Sequence, residues 1–216
     1  MEPVAEFASC RISYLHEMLP PADRQEQLRD QYYFTCTCPL CAGRERCELG
    51  AGLLRCPDCD APVPFRESMK CKKCLKEVSR EAVEQYGEMV QRLAKPEGEP
   101  DILHLYEQSK GVAHPWDRTQ IQLTELAMKA ALDRGEVRRF YALGQTLHPI
   151  YQSFFHPSSV SLGLYWAKLA KAAFFVGEEE KEAGVDFLRK ALAICSLTYG
   201  QNHPYFQYLL QLGPSC

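Results

Sequence analysis

The sequence predicts a mainly α protein, on three observations. Apolar residues recur at helical spacing from Ser79 onward. The dipeptide His-Pro recurs at His114-Pro115, His156-Pro157 and His203-Pro204, each time ahead of such a stretch. Eight of the eleven cysteines fall between Cys36 and Cys74, a density that suits metal ligation better than an apolar core. The expected architecture is an antiparallel helix array preceded by a small cysteine-rich zinc-binding region.

Composition bounds the rest. A chain of 216 residues with 46% apolar content has room for one ordinary domain and a small metal module. Its net charge of -3, from 25 basic and 28 acidic residues, argues against a protein that coats nucleic acid. No apolar run approaches the roughly 20 residues that cross a bilayer, and the N-terminus has no basic stretch leading into an apolar one. The expectation is a soluble, intracellular protein of the cytoplasm or nucleus with no membrane partner. In a reducing compartment its clustered cysteines are metal thiolates, the alternative being a secreted disulfide module. Cys10, Cys195 and Cys216 stand alone, and Cys195, in ALAICSL, reads as buried.

Taken in order, RISYLH at residues 11–16 has a short β-prone core, which Pro20 and Pro21 end. From Ala22 to Tyr33 the helix formers of ADRQEQLRDQYY predict a helix, with Asp23 in its first turn. Cys36, Cys38 and Cys41 then supply three thiolates in the order CxCxxC. A tetrahedral ion needs a fourth; Cys47 is the nearest candidate and Cys10 a second. The pairs Cys56/Cys59 and Cys71/Cys74 form a complete set, two CxxC knuckles at the spacing of a zinc ribbon. One or two structural zinc ions are therefore expected. Around the second knuckle stand Arg66, Lys70, Lys72, Lys73, Lys76 and Arg80, but no stacking aromatics are interleaved with them, so solubility and offset of thiolate charge explain them better than nucleic acid does.

Beyond Ser79, Val83, Tyr86, Val90 and Leu93 form one apolar stripe, and KPEGEP at residues 95–100 breaks the chain. The His-Pro pairs are 42 and 47 residues apart, and glycines at Gly135 and Gly177 follow 21 residues after the first two histidines, where a helix hairpin turns. The unit is two antiparallel helices, tetratricopeptide-like but with a longer and looser period, and Ala127, Ala130, Ala131, Ala170, Ala172 and Ala173 permit close helix contact. The recurrent histidines read as caps or packing residues of helix starts. The run from Glu178 to Glu180 with Glu182 reads as a solvated helix N-terminus.

ISYL, a charged helix ending LRDQYYF, and TCTCPLC together resemble the last SET strand and post-SET zinc motif of the SET and MYND domain (SMYD) family of protein-lysine methyltransferases. The resemblance is specific at residues 11–41, continues into the helical region, and is weaker at residues 42–80, where the ribbon is an insertion. It implies a fold that is mainly α, a tetratricopeptide-like helix array preceded by the zinc-binding region and a SET-terminal strand remnant. The implied domains are residues 1–35 as the end of a SET domain, 36–80 as post-SET motif plus ribbon, and 81–216 as the C-terminal helical domain. By resemblance Tyr14 matches the active-site tyrosine, Tyr32 lines the target-lysine channel, and Phe34 packs near the adenine of S-adenosylmethionine. Cys36, Cys38 and Cys41 match the three post-SET zinc ligands. Such tyrosines exclude water from a lysine amine that must arrive neutral and in line.

The sequence departs from the family in lacking the Asn-His-Ser-Cys motif that supplies the fourth post-SET ligand, the glycine-rich cofactor segment and the cysteine-dense MYND finger. The expected function is thus the post-SET and C-terminal part of an S-adenosylmethionine-dependent protein-lysine methyltransferase, inactive as this chain alone, its cofactor bound only where a SET core is present. The expected start near Arg11 of the family pattern reads as a truncated product or partial gene model. The second reading is a zinc-stabilised helical-repeat scaffold that binds a protein or peptide partner.

Overall fold

The computed structural model describes residues 14–15, 18–19, 21–38, 41, 52–94 and 102–213. The chain divides into two units, Met1–Leu49 and Gly50–Cys216. The CxCxxC group falls in the first unit and the ribbon in the second, with the helices.

In the first unit α1 spans Pro21–Tyr32, with Asp23 in the first turn and Arg29 in the last, as the helix dipole favours. It ends because Tyr33 turns to φ 59°, and the Tyr33 and Phe34 amides bond back to Arg29 and Leu28 carbonyls. Tyr14 and Leu15 lie outside regular structure, whereas a strand was expected there. A strand needs a neighbour to pair with, and among the described residues of this unit none offers one; Arg11–Ser13 and His16 lie outside the described residues.

The second unit begins with a hairpin of β1 (Leu53–Arg55) and β2 (Pro62–Pro64), antiparallel, pairing Leu53 with Pro64 and Arg55 with Pro62. Then come α2 (Arg80–Ala94) and α3 (Ile102–Ser109). The array continues through α4 (Arg118–Asp133), α5 (Val137–Phe154), α6 (Val160–Val176), α7 (Lys181–Thr198) and α8 (Pro204–Leu212). From α3 to α8 each helix packs on its neighbour in sequence. Short connections then make consecutive helices antiparallel. The mainly α expectation holds.

The α4–α5 turn shows how the sequence enforces this. Gly135 stands at φ 73°, its amide bonding to Leu132 O and that of Glu136 to Ala131 O, the paired closure of a helix end that requires a left-handed residue. Ala127, Ala131, Ala170 and Ala173 are fully buried, as their small size suggested. Two glycines do more. A Cβ at Gly144 would lie 2.3 Å from Leu169 Cδ2, and one at Gly163 would lie 2.9 Å from Ile194 Cγ2, so α5–α6 and α6–α7 approach where a methyl group would not fit. Helix α6, sandwiched between α5 and α7, buries most of its circumference and leaves Ser161, Lys168, Lys171 and Phe175 exposed along one stripe.

At the His-Pro pairs the expectation needs refining. Pro204 opens α8, but Pro115 and Pro157 precede their helices by a short turn. What the three pairs share is the imidazole: Nδ1 of His114, His156 and His203 accepts from the amides of Trp116, Ser158 and Tyr205 at 3.2, 3.2 and 3.1 Å. Each histidine thus pins the turn that leads into a helix.

Candidate metal centres and the aromatic cluster

The ribbon is built as two copies of one knuckle. In each, the residue before the first cysteine pairs with the sixth after it: Arg55 with Pro62, Lys70 with Glu77. Each first cysteine donates its amide across that pair, Cys56 to Ala61 O at 3.0 Å and Cys71 to Lys76 O at 2.8 Å. Each accepts at its carbonyl from a residue of positive φ, Asp60 (58°) and Leu75 (64°). Such a turn points both thiols of a CxxC the same way. The result is that Cys56, Cys59, Cys71 and Cys74 place their sulfurs within 4.8 Å of one another.

The Sγ–Sγ separations of 3.4 Å (Cys56–Cys74) and 3.6 Å (Cys59–Cys71) leave these thiols unbridged, since a disulfide requires about 2.05 Å. They approach the roughly 3.8 Å edge of a tetrahedron with Zn–S near 2.3 Å. The electrostatics agree with a cation-binding set. The Cys74 and Lys73 amides hold the Cys71 thiol down at about 6 against the cost of burial. At Cys74 the Lys76 amide pulls downward but is outweighed by the Cys56 thiol and burial, and the thiol is pushed up to about 12. More than one thiolate in so small a space would be mutually repulsive, and a cation between them would relieve that repulsion.

The first unit holds the second group. Cys36, Cys38 and Cys41 bring their sulfurs within the same 4.8 Å, three corners of a tetrahedron. Gln25 of α1 orders them, its Nε2 donating to Cys36 O at 2.6 Å and its Oε1 accepting from Cys36 N at 3.0 Å. The Cys38 amide faces the Cys36 sulfur at 3.5 Å, and Cys41 N bonds to Cys38 O at 3.0 Å. Burial raises the Cys41 thiol, a hydrogen bond from the buried Arg24 opposing it. The donor set fits a zinc ion as three of four ligands. Cys47 and Cys10 lie outside the described residues, so the fourth corner is not assigned.

Tyr14, Tyr32 and Phe34 come together in the same unit. The Tyr14 ring lies 4.9 Å from that of Tyr32 and 5.7 Å from that of Phe34, edge-on to both. All three are exposed, at 53%, 42% and 38%. Such an edge-to-face cluster on a surface marks an apolar wall rather than a core.

One buried residue that joins the ribbon to the helices escaped the sequence reading. Asp117, fully buried, caps α4 by accepting from Thr119 N (2.9 Å) and Gln120 N (3.1 Å). It also receives Gly52 N (2.9 Å) and Leu53 N (3.0 Å), the two amides that lead into β1. The Tyr86 hydroxyl of α2 lies 3.0 Å from the same oxygen. Burial first, and then the Asp117 charge, push that phenol up to about 12. His114-Pro115 marked a helix start, but nothing there singled out Asp117 or its partners more than sixty residues upstream.

No family model matches this chain. The chain is 24% identical over 204 residues to the N-lysine methyltransferase SMYD2 of Homo sapiens, covering 92% of this chain and 44% of that protein. The SMYD2 of Sus scrofa is 25% identical over the same shares, and SMYD2-A of Danio rerio is 26% identical over 213 residues, covering 89% of this chain and 42% of its own. The chain thus spans less than half the length of these curated relatives. The consistent similarity supports a methyltransferase-family relationship.

Proposed function

We propose that this chain is the post-SET and C-terminal helical part of a SET/MYND-type, S-adenosylmethionine-dependent protein-lysine N-methyltransferase. The observation that carries the reading is the meeting of Tyr14, Tyr32 and Phe34 in the unit that also holds Cys36, Cys38 and Cys41. On this reading Tyr14 and Tyr32 are catalytic-channel tyrosines. Their rings would keep water from the lysine amine and their hydroxyls would orient it, while Phe34 would offer an apolar face to the cofactor's adenine. Cys36, Cys38 and Cys41 would hold a zinc ion as three of its ligands, and such a site would fix the loop that follows these aromatics. The cofactor supplies an electrophilic methyl group when bound.

The exposure of all three aromatics suits a wall that is half of a cavity. This chain alone is therefore not competent for methyl transfer: its sequence carries no Asn-His-Ser-Cys motif and no glycine-rich cofactor segment. The partners are protein substrates or lysine-bearing peptides, met within the cytoplasm or nucleus. Nucleic acid is disfavoured: of the exposed basic side chains on the second knuckle, Lys72 and Lys76 already lie near Glu67 and Asp58, and the thiolates need the remaining charge. No helix among the described residues is long and apolar enough to cross a membrane.

Calorimetric titration of the purified chain with S-adenosylmethionine should give no stoichiometric binding, and one-to-one binding would overturn the incomplete-cavity reading. The transcript upstream of the Met1 codon should encode a SET core in frame. An in-frame stop there would remove the methyltransferase reading and leave the scaffold.

The scaffold reading has its own support in a groove of about 400 Å³ between α2 and α3, lined by Gln85, Glu88, Met89, Arg92, Leu105 and Gln108. Its mixed polar and apolar lining suits a peptide. The tetratricopeptide-like character of the array belongs to both readings.

A further inference from the structure

Strand β1 is three residues long, and a two-stranded hairpin of that size does not persist unsupported. Its two ends are held by different things. At one end the Gly52 and Leu53 amides enter the Asp117 carboxylate, which is also the cap of α4. Gly52 is required there: its φ is 97°, and a Cβ would lie 3.1 Å from Phe65 and 3.3 Å from Arg66. Between the ends, Leu53 O accepts from His114 N and Arg55 N donates to Val112 O, both at 2.9 Å, stitching the outer edge of β1 to the segment before α4. At the other end β1 runs directly into Cys56, the first of the four thiols.

We propose that the Cys56, Cys59, Cys71 and Cys74 site binds zinc, and that its occupancy is coupled through β1 to the buried Asp117 cap. Metal fastens the start of α4, and Asp117 in turn tightens the ribbon's hold on metal. The coupling is reciprocal because both act on the same folded strand. With the ion removed the knuckles no longer clamp β1, so Asp117 loses two of its donors inside the protein, where an under-satisfied carboxylate is disfavoured. The helical array and the metal site are then one cooperative element, although the cysteines sit outside the helices. The proposal rests on the four thiolates being a metal site, and the experiment separates the two claims.

The experiment uses the full chain carrying Cys38→Ser, which leaves the ribbon as the counted site. One zinc per chain is expected, and none would overturn the site. A competing chelator should then withdraw that zinc about tenfold faster when Asp117→Asn is added, and to a smaller degree with the milder Tyr86→Phe, which removes one hydroxyl. Amide hydrogen exchange on the wild-type chain should show Thr119 and Gln120 losing at least tenfold protection on chelation. Zinc bound at full stoichiometry but released at the same rate in both variants, with Thr119 and Gln120 equally protected in both metal states, would overturn the coupling.

Discussion

Asp117 Oδ2 lies 2.9 Å from the amide nitrogen of Gly52, across 65 residues of sequence, so that the cap of a helix is also the anchor of the CxxC ribbon. That bond places the ribbon with the helices rather than with the CxCxxC group before it. Replacing Asp117 with Ala leaves the Leu53, Thr119 and Gln120 amides without their acceptor, while Gly52 N keeps only the Tyr86 hydroxyl and that hydroxyl only Thr119 Oγ1. The expected cost is about 3–5 kcal/mol, the range for breaking a buried charged network. Equilibrium denaturation checks it, and Asp117→Ala within 1 kcal/mol of wild type by that measure would refute the anchor.

Metal content distinguishes the two cysteine groups. The wild-type chain should bind up to two zinc ions by elemental analysis, Cys71→Ser losing the ribbon ion and Cys38→Ser the other. Cys47→Ser addresses the fourth corner of the CxCxxC group. Loss of one ion assigns that corner to Cys47; an unchanged count removes it.

Close helix approach at Gly144 is testable with a single methyl group. Gly144→Ala gains about 1 kcal/mol of helix propensity but forces Leu169 aside, and overpacking costs about 1–3 kcal/mol. The expected net change is a loss of up to about 2 kcal/mol, relieved when Leu169→Ala accompanies it. A more stable Gly144→Ala would show that Leu169 yields freely.

His148 gives the acid limb of stability a local origin. Burial lowers its pKa, Lys190 adding to the effect and Asp186 opposing it, while its Nδ1 accepts from Trp166 Nε1 at 3.3 Å. A histidine with a depressed folded pKa contributes stability that is present above its unfolded pKa near 6.5, and that is lost as pH falls through and below that value. His148→Gln should flatten the stability profile as pH falls below about 6.5. A profile as steep as wild type would place the titration elsewhere.

Much of this was legible in the sequence because it rests on local chemistry. The CxxC pairs fix their own turns, Tyr86 declares its helix face by spacing, and Gly135 declares its hairpin by being the residue that tolerates φ 73°. Tyr14, Tyr32 and Phe34 could be grouped by resemblance, and the structure brings their rings together. What stayed hidden depends on distant partners. Three-residue strands such as Leu53–Arg55 are too short to alternate visibly. Gly144 and Gly163 look like poor helix residues until Leu169 and Ile194 are seen across them. Asp117 looks like any cap until Gly52 arrives from the ribbon.

The proposal that Tyr14 stands in a lysine methyl-transfer site is tested most directly by turnover of the full translation product of the transcript that carries this chain. With labelled S-adenosylmethionine it should place methyl groups on lysines of a protein substrate, and Tyr14→Phe should lower kcat by about a hundredfold, the scale for losing one oriented hydroxyl at a reacting centre, with metal content unchanged. No methyl transfer from the zinc-loaded protein at saturating cofactor, or a Tyr14→Phe protein with wild-type kcat, would contradict the account.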